Sequence, residues 1–131
     1  GCGRKGCLET YVSATGVEKT AFEFTGKKYS SKEIFEIANK GEKWALEVFD
    51  FTAQKLGMAL ANSIAITSPE VIVLFGGLTQ SKEFLFAPTK KYMEKYLLKN
   101  YQNKISLVPS ALSESDAAIL GASALIWNET I

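Results

Sequence analysis

Histidine is missing from this chain altogether, which removes the commonest general base near neutral pH and the commonest nitrogen ligand for a metal. An enzyme built on this sequence must use a carboxylate as base or draw its base from elsewhere. Cysteine is scarce, with two residues, too few for a disulfide-stapled secreted scaffold. Neither sign of charge predominates, with 15 Lys and Arg against 14 Asp and Glu. Proteins that grip nucleic acid by neutralising phosphates usually carry a basic excess or a basic stripe. The lysines here are scattered, so no direct nucleic-acid contact is expected from this piece. No apolar run reaches the roughly 18 to 20 residues that span a bilayer, and nothing reads as a signal peptide. A cytoplasmic protein without membrane contact is the expectation.

What is present is the composition of a globular domain: 131 residues, 47% hydrophobic and 22% charged, enough to bury a sizeable core. A helix is expected to start at Leu8 and reach about Ser13, be interrupted at Gly16 and resume through Phe22. Ser30 followed by Glu33 forms a capping box ahead of a short helix, Ser31 to Asn39, ended by Gly41. The dominant element is a long helix from Glu42 to Thr67. Ala45, Val48, Phe49, Thr52, Leu56, Ala59, Leu60 and Ser63 recur at the spacing of one face, and Gly57 thins the helix so that another backbone can approach. Pro69 ends it.

Val71 to Phe75 is an unbroken apolar run, the pattern of a strand covered on both faces in a parallel sheet. A helical region spans Ser81 to Asn100, with Pro88 expected to open its main segment. Ile105 to Val108 is a second strand, and Ser115 caps a last helix from Asp116 to about Asn128. Its Ala117, Ala118, Gly121, Ala122 and Ala124 form a small-residue surface suited to packing. The fold class is therefore α/β and helix-rich. Two strands make a thin sheet, since sheets usually carry five or six, which points to a missing partner segment.

Three groups of residues can carry chemistry. Cys2 and Cys7 lie five positions apart around Gly3 and Gly6. They are either two small buried thiols or two metal ligands that need others from elsewhere, because a structural zinc takes four. Glu9 is either a first-turn glutamate favoured by the helix dipole or a carboxylate that accepts hydrogen bonds from a polyhydroxylated ligand. Gly76-Gly77 follows a strand and precedes a helix. Backbone N–H groups at such a turn can meet a phosphate or nucleoside, although many α/β turns need glycine for steric reasons alone. It is not a Walker A loop, because no Gly-Lys-Ser/Thr ending follows. Trp44, Phe49 and Phe51 read as core or interface.

Cys2 to Glu9 (Cys-Gly-Arg-Lys-Gly-Cys-Leu-Glu), with Ser13 and Gly16 after it, resembles the Cys-x-Cys-Gly-x-x-Gly-Cys-x-Glu signature of the ROK family of repressors, open reading frames and sugar kinases. The first cysteine of that signature has no counterpart here. Phe75-Gly76-Gly77-Leu78 is similar to the family's adenosine-side glycine pair, and Ser115 to Ala122 to its closing helix.

The resemblance implies an actin-like, RNase H-like fold in two lobes, with residues 1–131 as most of the C-terminal lobe and the N-terminal lobe absent. It implies Cys2 and Cys7 as two ligands of a structural zinc, Glu9 as a contact to sugar hydroxyls, and Gly76 and Gly77 as lining of the nucleotide pocket. The family's Asp-x-Gly-x-Thr phosphate loop and its Asn-Asp pair, whose aspartate is the base, have no match in this sequence. The implied reading is the sugar- and nucleotide-binding part of a Mg-ATP-dependent hexose kinase of glucokinase type, not competent alone, whose partners are a hexose, ATP and its own N-terminal lobe. The alternative is the sugar-sensing lobe of a repressor of the same family. The long alanine-rich helix from Glu42 also suits an interface between copies, so a homo-oligomer is expected.

Overall fold

The computed structural model describes Gly3, Arg4 and residues 6–129; the expected metal ligand Cys2 lies outside them. A 3₁₀ turn, Leu8–Thr10, leads into α1 (Ala14–Thr25), α2 (Ser31–Asn39) and the long α3 (Lys43–Thr67). Then come β1 (Val71–Leu74), a second 3₁₀ segment (Gly77–Ser81), α4 (Lys82–Tyr96), β2 (Ser106–Pro109) and α5 (Glu114–Glu129).

At 25 residues, α3 is about 37 Å long and forms the spine on which the other helices pack. Its N-terminal half meets α1 and α2 in a core of Val17, Ala21, Ile34, Ala38, Ala45, Val48 and Phe49. Its C-terminal half meets α4 and the approach to β2 through Ala61, Ile64, Met93, Leu97 and Ile105. The buried stripe of α3 drifts through Ala53, Gly57, Ala61 and Ile64, which leaves Ser63 exposed and Ala59 half-buried, while the expected Leu60 still packs against it. The drift follows α4, which crosses closely at Gly57. A β-carbon there would stand 2.7 Å from the Met93 nitrogen and 2.8 Å from the Thr89 carbonyl oxygen.

The capping box is formed as expected: Ser30 Oγ accepts from the Glu33 N–H at 3.3 Å, and the Ser30 N–H donates to Glu33 Oε2 at 2.7 Å. Other helix ends differ from expectation. Residues 8–13 are a 3₁₀ turn and a cap instead of a helix, and Gly16 sits inside the first turn of α1 instead of interrupting it. Pro88 does not open α4 but lies within it. A proline there forgoes the bond its N–H would make to the Phe84 carbonyl and crowds that carbonyl with its ring, yet α4 continues to Tyr96. The cap of α5 is Ser113, whose Oγ accepts from the Asp116 N–H at 3.1 Å, instead of Ser115.

β1 and β2 are parallel, in register from Val71 opposite Ser106 to Leu74 opposite Pro109. Ile72, Leu74 and Leu107 turn toward the helices and are half-buried, whereas Val71, Val73 and Val108 are exposed. The expected burial on both faces is thus absent among the described residues. The same is true of α5: Ile119, Leu120, Leu125, Ile126 and Trp127 are exposed, as are Gly121 and Ala122. Gly121 has open space where a β-carbon would be, so the packing expected of the small-residue surface is not made within these residues.

Candidate functional site

The segment that precedes α1 is built from tight turns. Gly3 and Gly6 take positive φ of 77° and 80°, a region that glycine enters without steric cost. Cys7, half-buried, caps the 3₁₀ turn, and its carbonyl accepts from the Thr10 N–H at 3.0 Å. Glu9 is exposed in the middle of that turn. Tyr11 then anchors the segment on α3, edge-on to Phe51 at 6.2 Å, with Lys55 Nζ 4.8 Å from the Phe51 ring centre and 5.7 Å from that of Tyr11. Ser13 closes the segment as the N-cap of α1, its Oγ accepting from the Gly16 N–H at 3.0 Å.

The glycine pair lies at the C-terminal end of β1, the end at which open α/β sheets bind ligands. Gly76 has φ +114°, which a residue with a β-carbon adopts only under strain. Gly77 starts the 3₁₀ segment that leads into α4.

These two regions face one cleft of about 720 Å³. Val12, Ser13 and Ala14 line it, together with Ser31 and Lys32 at the start of α2 and with Gly76 and Gly77. The aromatic rings of Phe35 and Phe49, edge-to-face with centres 6.5 Å apart, give it an apolar floor. Phe84 stacks on Phe49 at 5.7 Å. A cavity of this volume, apolar below with a few polar groups at its edge, is of the size that takes a small organic ligand.

The geometry brings together Gly76, Gly77 and the residues that directly follow the Glu9 turn. Glu9 itself does not line the cleft. Ser31, Lys32 and Phe35 were not anticipated from sequence. The capping box locates the start of α2, but no local pattern tells that this start faces the glycine pair. Trp44 stacks on Tyr29 with centres 5.0 Å apart and Phe49 is buried, consistent with packing roles.

A structural zinc takes four ligands. With no histidine and two cysteines in the sequence, four soft ligands cannot be supplied. Among the described residues no three His, Cys, Asp or Glu cluster. No helix among them is long and apolar enough to cross a membrane.

Comparison with known proteins gives a consistent picture. A family model described as "ROK family" matches residues 1–129. Over 95% of its length the chain is 32% identical to a glucokinase of Thermotoga maritima, covering 44% of that protein. It is 29% identical to the DNA-binding transcriptional dual regulator NagC of Escherichia coli, again over 95% of the chain and 32% of the regulator. The chain therefore spans less than half the length of these relatives. In structure it superimposes with a TM-score of 0.83, at 22% identity, on a ROK family glucokinase from Streptomyces griseus solved with glucose and AMPPNP, covering 95% of the chain and 45% of that protein.

Proposed function

Since this chain belongs to the ROK family, we propose that it forms the C-terminal lobe of an ATP-dependent hexose kinase of glucokinase type, acting together with an N-terminal lobe. Glu9 holds the sugar by accepting hydrogen bonds from its hydroxyls, and Gly76 and Gly77 line the nucleotide pocket. The observation that carries this reading is the shared cleft: the glycine turn and the segment leading from the Glu9 turn into α1 both contribute to its lining. The kinase among the relatives has the higher identity, 32% against 29% for the regulator, and the structural neighbour was solved with a sugar and an ATP analogue.

In the proposed reaction a sugar hydroxyl attacks the γ-phosphorus of ATP, the bond to the β-phosphate oxygen breaks, and ADP leaves. A carboxylate from the N-terminal lobe takes the hydroxyl proton. Such transfers depend on positioning and on neutralising the phosphate charge, and magnesium bound to ATP supplies part of that neutralisation. The contribution of this chain is to orient both substrates.

Several features support an N-terminal lobe as partner. The relatives are more than twice as long as the part matched, the sheet has an exposed apolar face, and the apolar residues of α5 are exposed. Cys2 and Cys7 contribute to a structural zinc only if further ligands come from that lobe. Exposed apolar surface of this extent also suits an interface between copies.

The test is to express the full open reading frame that encodes this chain and assay it with ATP and a panel of hexoses. Sugar-dependent ADP release, with Glu9→Ala weakening sugar binding by about 1.5–3 kcal/mol, is the expected result. Sugar binding without turnover, with a DNA-binding domain upstream, would replace the kinase by the repressor, the reading that the likeness to NagC favours.

A further inference from the structure

Gly16 is buried in the first turn of α1, and the turn that carries Glu9 rests directly upon it. A β-carbon at Gly16 would stand 2.8 Å from the carbonyl carbon of Tyr11 and 2.9 Å from the carbonyl oxygens of both Thr10 and Tyr11. All three are backbone atoms, so no side chain can rotate away to make room. The contact is also held from both directions. The Gly16 N–H donates to Ser13 Oγ at 3.0 Å, and the Gly16 carbonyl accepts from the buried Thr20 hydroxyl at 2.9 Å. On the other side the turn closes on itself, with the Tyr11 and Val12 N–H groups both donating to the Leu8 carbonyl at 3.0 and 2.9 Å.

We propose that Gly16 is a positioning residue for Glu9: its bare α-carbon lets the backbone of residues 10 and 11 seat on α1 and thereby sets where the Glu9 carboxylate stands. A methyl group at position 16 pushes this backbone outward, to ordinary contact distances of 3.4 Å or more. Glu9 is one residue from the displaced peptide, so its carboxylate moves with it. Misplacements of about 1 Å can cost on the order of 100-fold in an oriented reaction. The placement of glycine in a helical turn, where alanine is the better helix former, then has a reason in the site instead of in the helix.

The inference rests on Glu9 being a sugar ligand, and the test separates the two. In the full-length polypeptide, sugar and nucleotide affinities are measured for Glu9→Ala, Gly16→Ala and the double variant. Unfolding temperature is recorded for each, with Ala21→Gly as a control that weakens α1 away from the turn. Gly16→Ala is expected to weaken sugar binding at least about 5-fold with Glu9 present and less than about 2-fold in the Glu9→Ala background, the non-additivity of groups acting as a unit. Nucleotide affinity should be retained, and Ala21→Gly should leave sugar affinity intact. Equal losses in both backgrounds, or a loss matched by Ala21→Gly, would overturn the positioning role. A Glu9→Ala protein with unchanged sugar affinity would instead overturn the reading of Glu9 itself. If Gly16→Ala does not fold, Ser13→Ala loosens the same seat without a steric clash. Its loss of sugar affinity must likewise vanish in the Glu9→Ala background, and an additive loss would count against the proposal.

Discussion

The hydroxyl of Tyr92 on α4 donates to Asp50 Oδ2 on α3 at 2.7 Å, tying together two helices that cross at Gly57. The hydrogen bond, more than burial or the Asp50 charge itself, raises the Tyr92 pKa above its ordinary value. A raised folded-state pKa contributes stability that is fully present below the unfolded value, near 10 for tyrosine, and is lost as the pH rises through the folded value. Tyr92→Phe should therefore lower stability by a few tenths to about 1 kcal/mol at pH 7, and the gap to wild type should close above pH 10. Urea unfolding of both proteins across that range checks this; a gap independent of pH would refute it.

At the other end of the pH scale, Glu33 has a lowered pKa, first because its carboxylate accepts from the Ser30 backbone N–H and then because of the Ser30 hydroxyl. A depressed carboxylate contributes stability that is present above its unfolded value and lost as the pH falls through the folded one. Thermal unfolding of Glu33→Gln should give a lower Tm than wild type at neutral pH. The two curves should converge below about pH 4.

The close crossing of α3 and α4 makes Gly57→Ala costly. Overpacking of this kind costs about 1–3 kcal/mol, which exceeds the gain of up to about 1 kcal/mol from replacing a helical glycine by alanine. Denaturant midpoints should show net destabilisation, and a stabilised variant would mean that α4 can shift outward freely.

Gly76→Ala tests the proposed nucleotide side. With φ at +114°, the variant must strain the turn by about 1–3 kcal/mol or refold it. In the full-length polypeptide nucleotide affinity should fall at least about 5-fold, since the backbone would no longer meet the ligand in the same place. Sugar affinity should change little. An unaltered nucleotide affinity would remove Gly76 from the pocket.

Sequence signals were most legible where they are local. The Ser30–Glu33 box located α2 to the residue, apolar periodicity located α3 to within one residue, and the run from Val71 located β1. Gly16 and Pro88 were misleading because both residues disfavour helices on average, whereas Gly16 is fixed in α1 by the backbone seated against it and Pro88 is accommodated within α4. The exposed faces of β1, β2 and α5 have no local signature, because burial of an apolar face depends on what other chain covers it. In the site, the Gly76–Gly77 turn was visible in the sequence, whereas the Glu9 expected beside it does not line the cleft. Ser31, Lys32 and Phe35 were not visible, since only the fold brings the start of α2 to the cleft.

One small cluster has a mechanical consequence. Ala53, Leu56 and Leu85 are packed by Val12, next to the Glu9 turn, and by Leu74 and Leu78, which flank the glycine pair. Close-packed side chains transmit displacement instead of absorbing it. The lining on either side of this cluster is thus bolted to one block, and a push on the turn before α1 is felt at the glycine pair as in a rigid jaw.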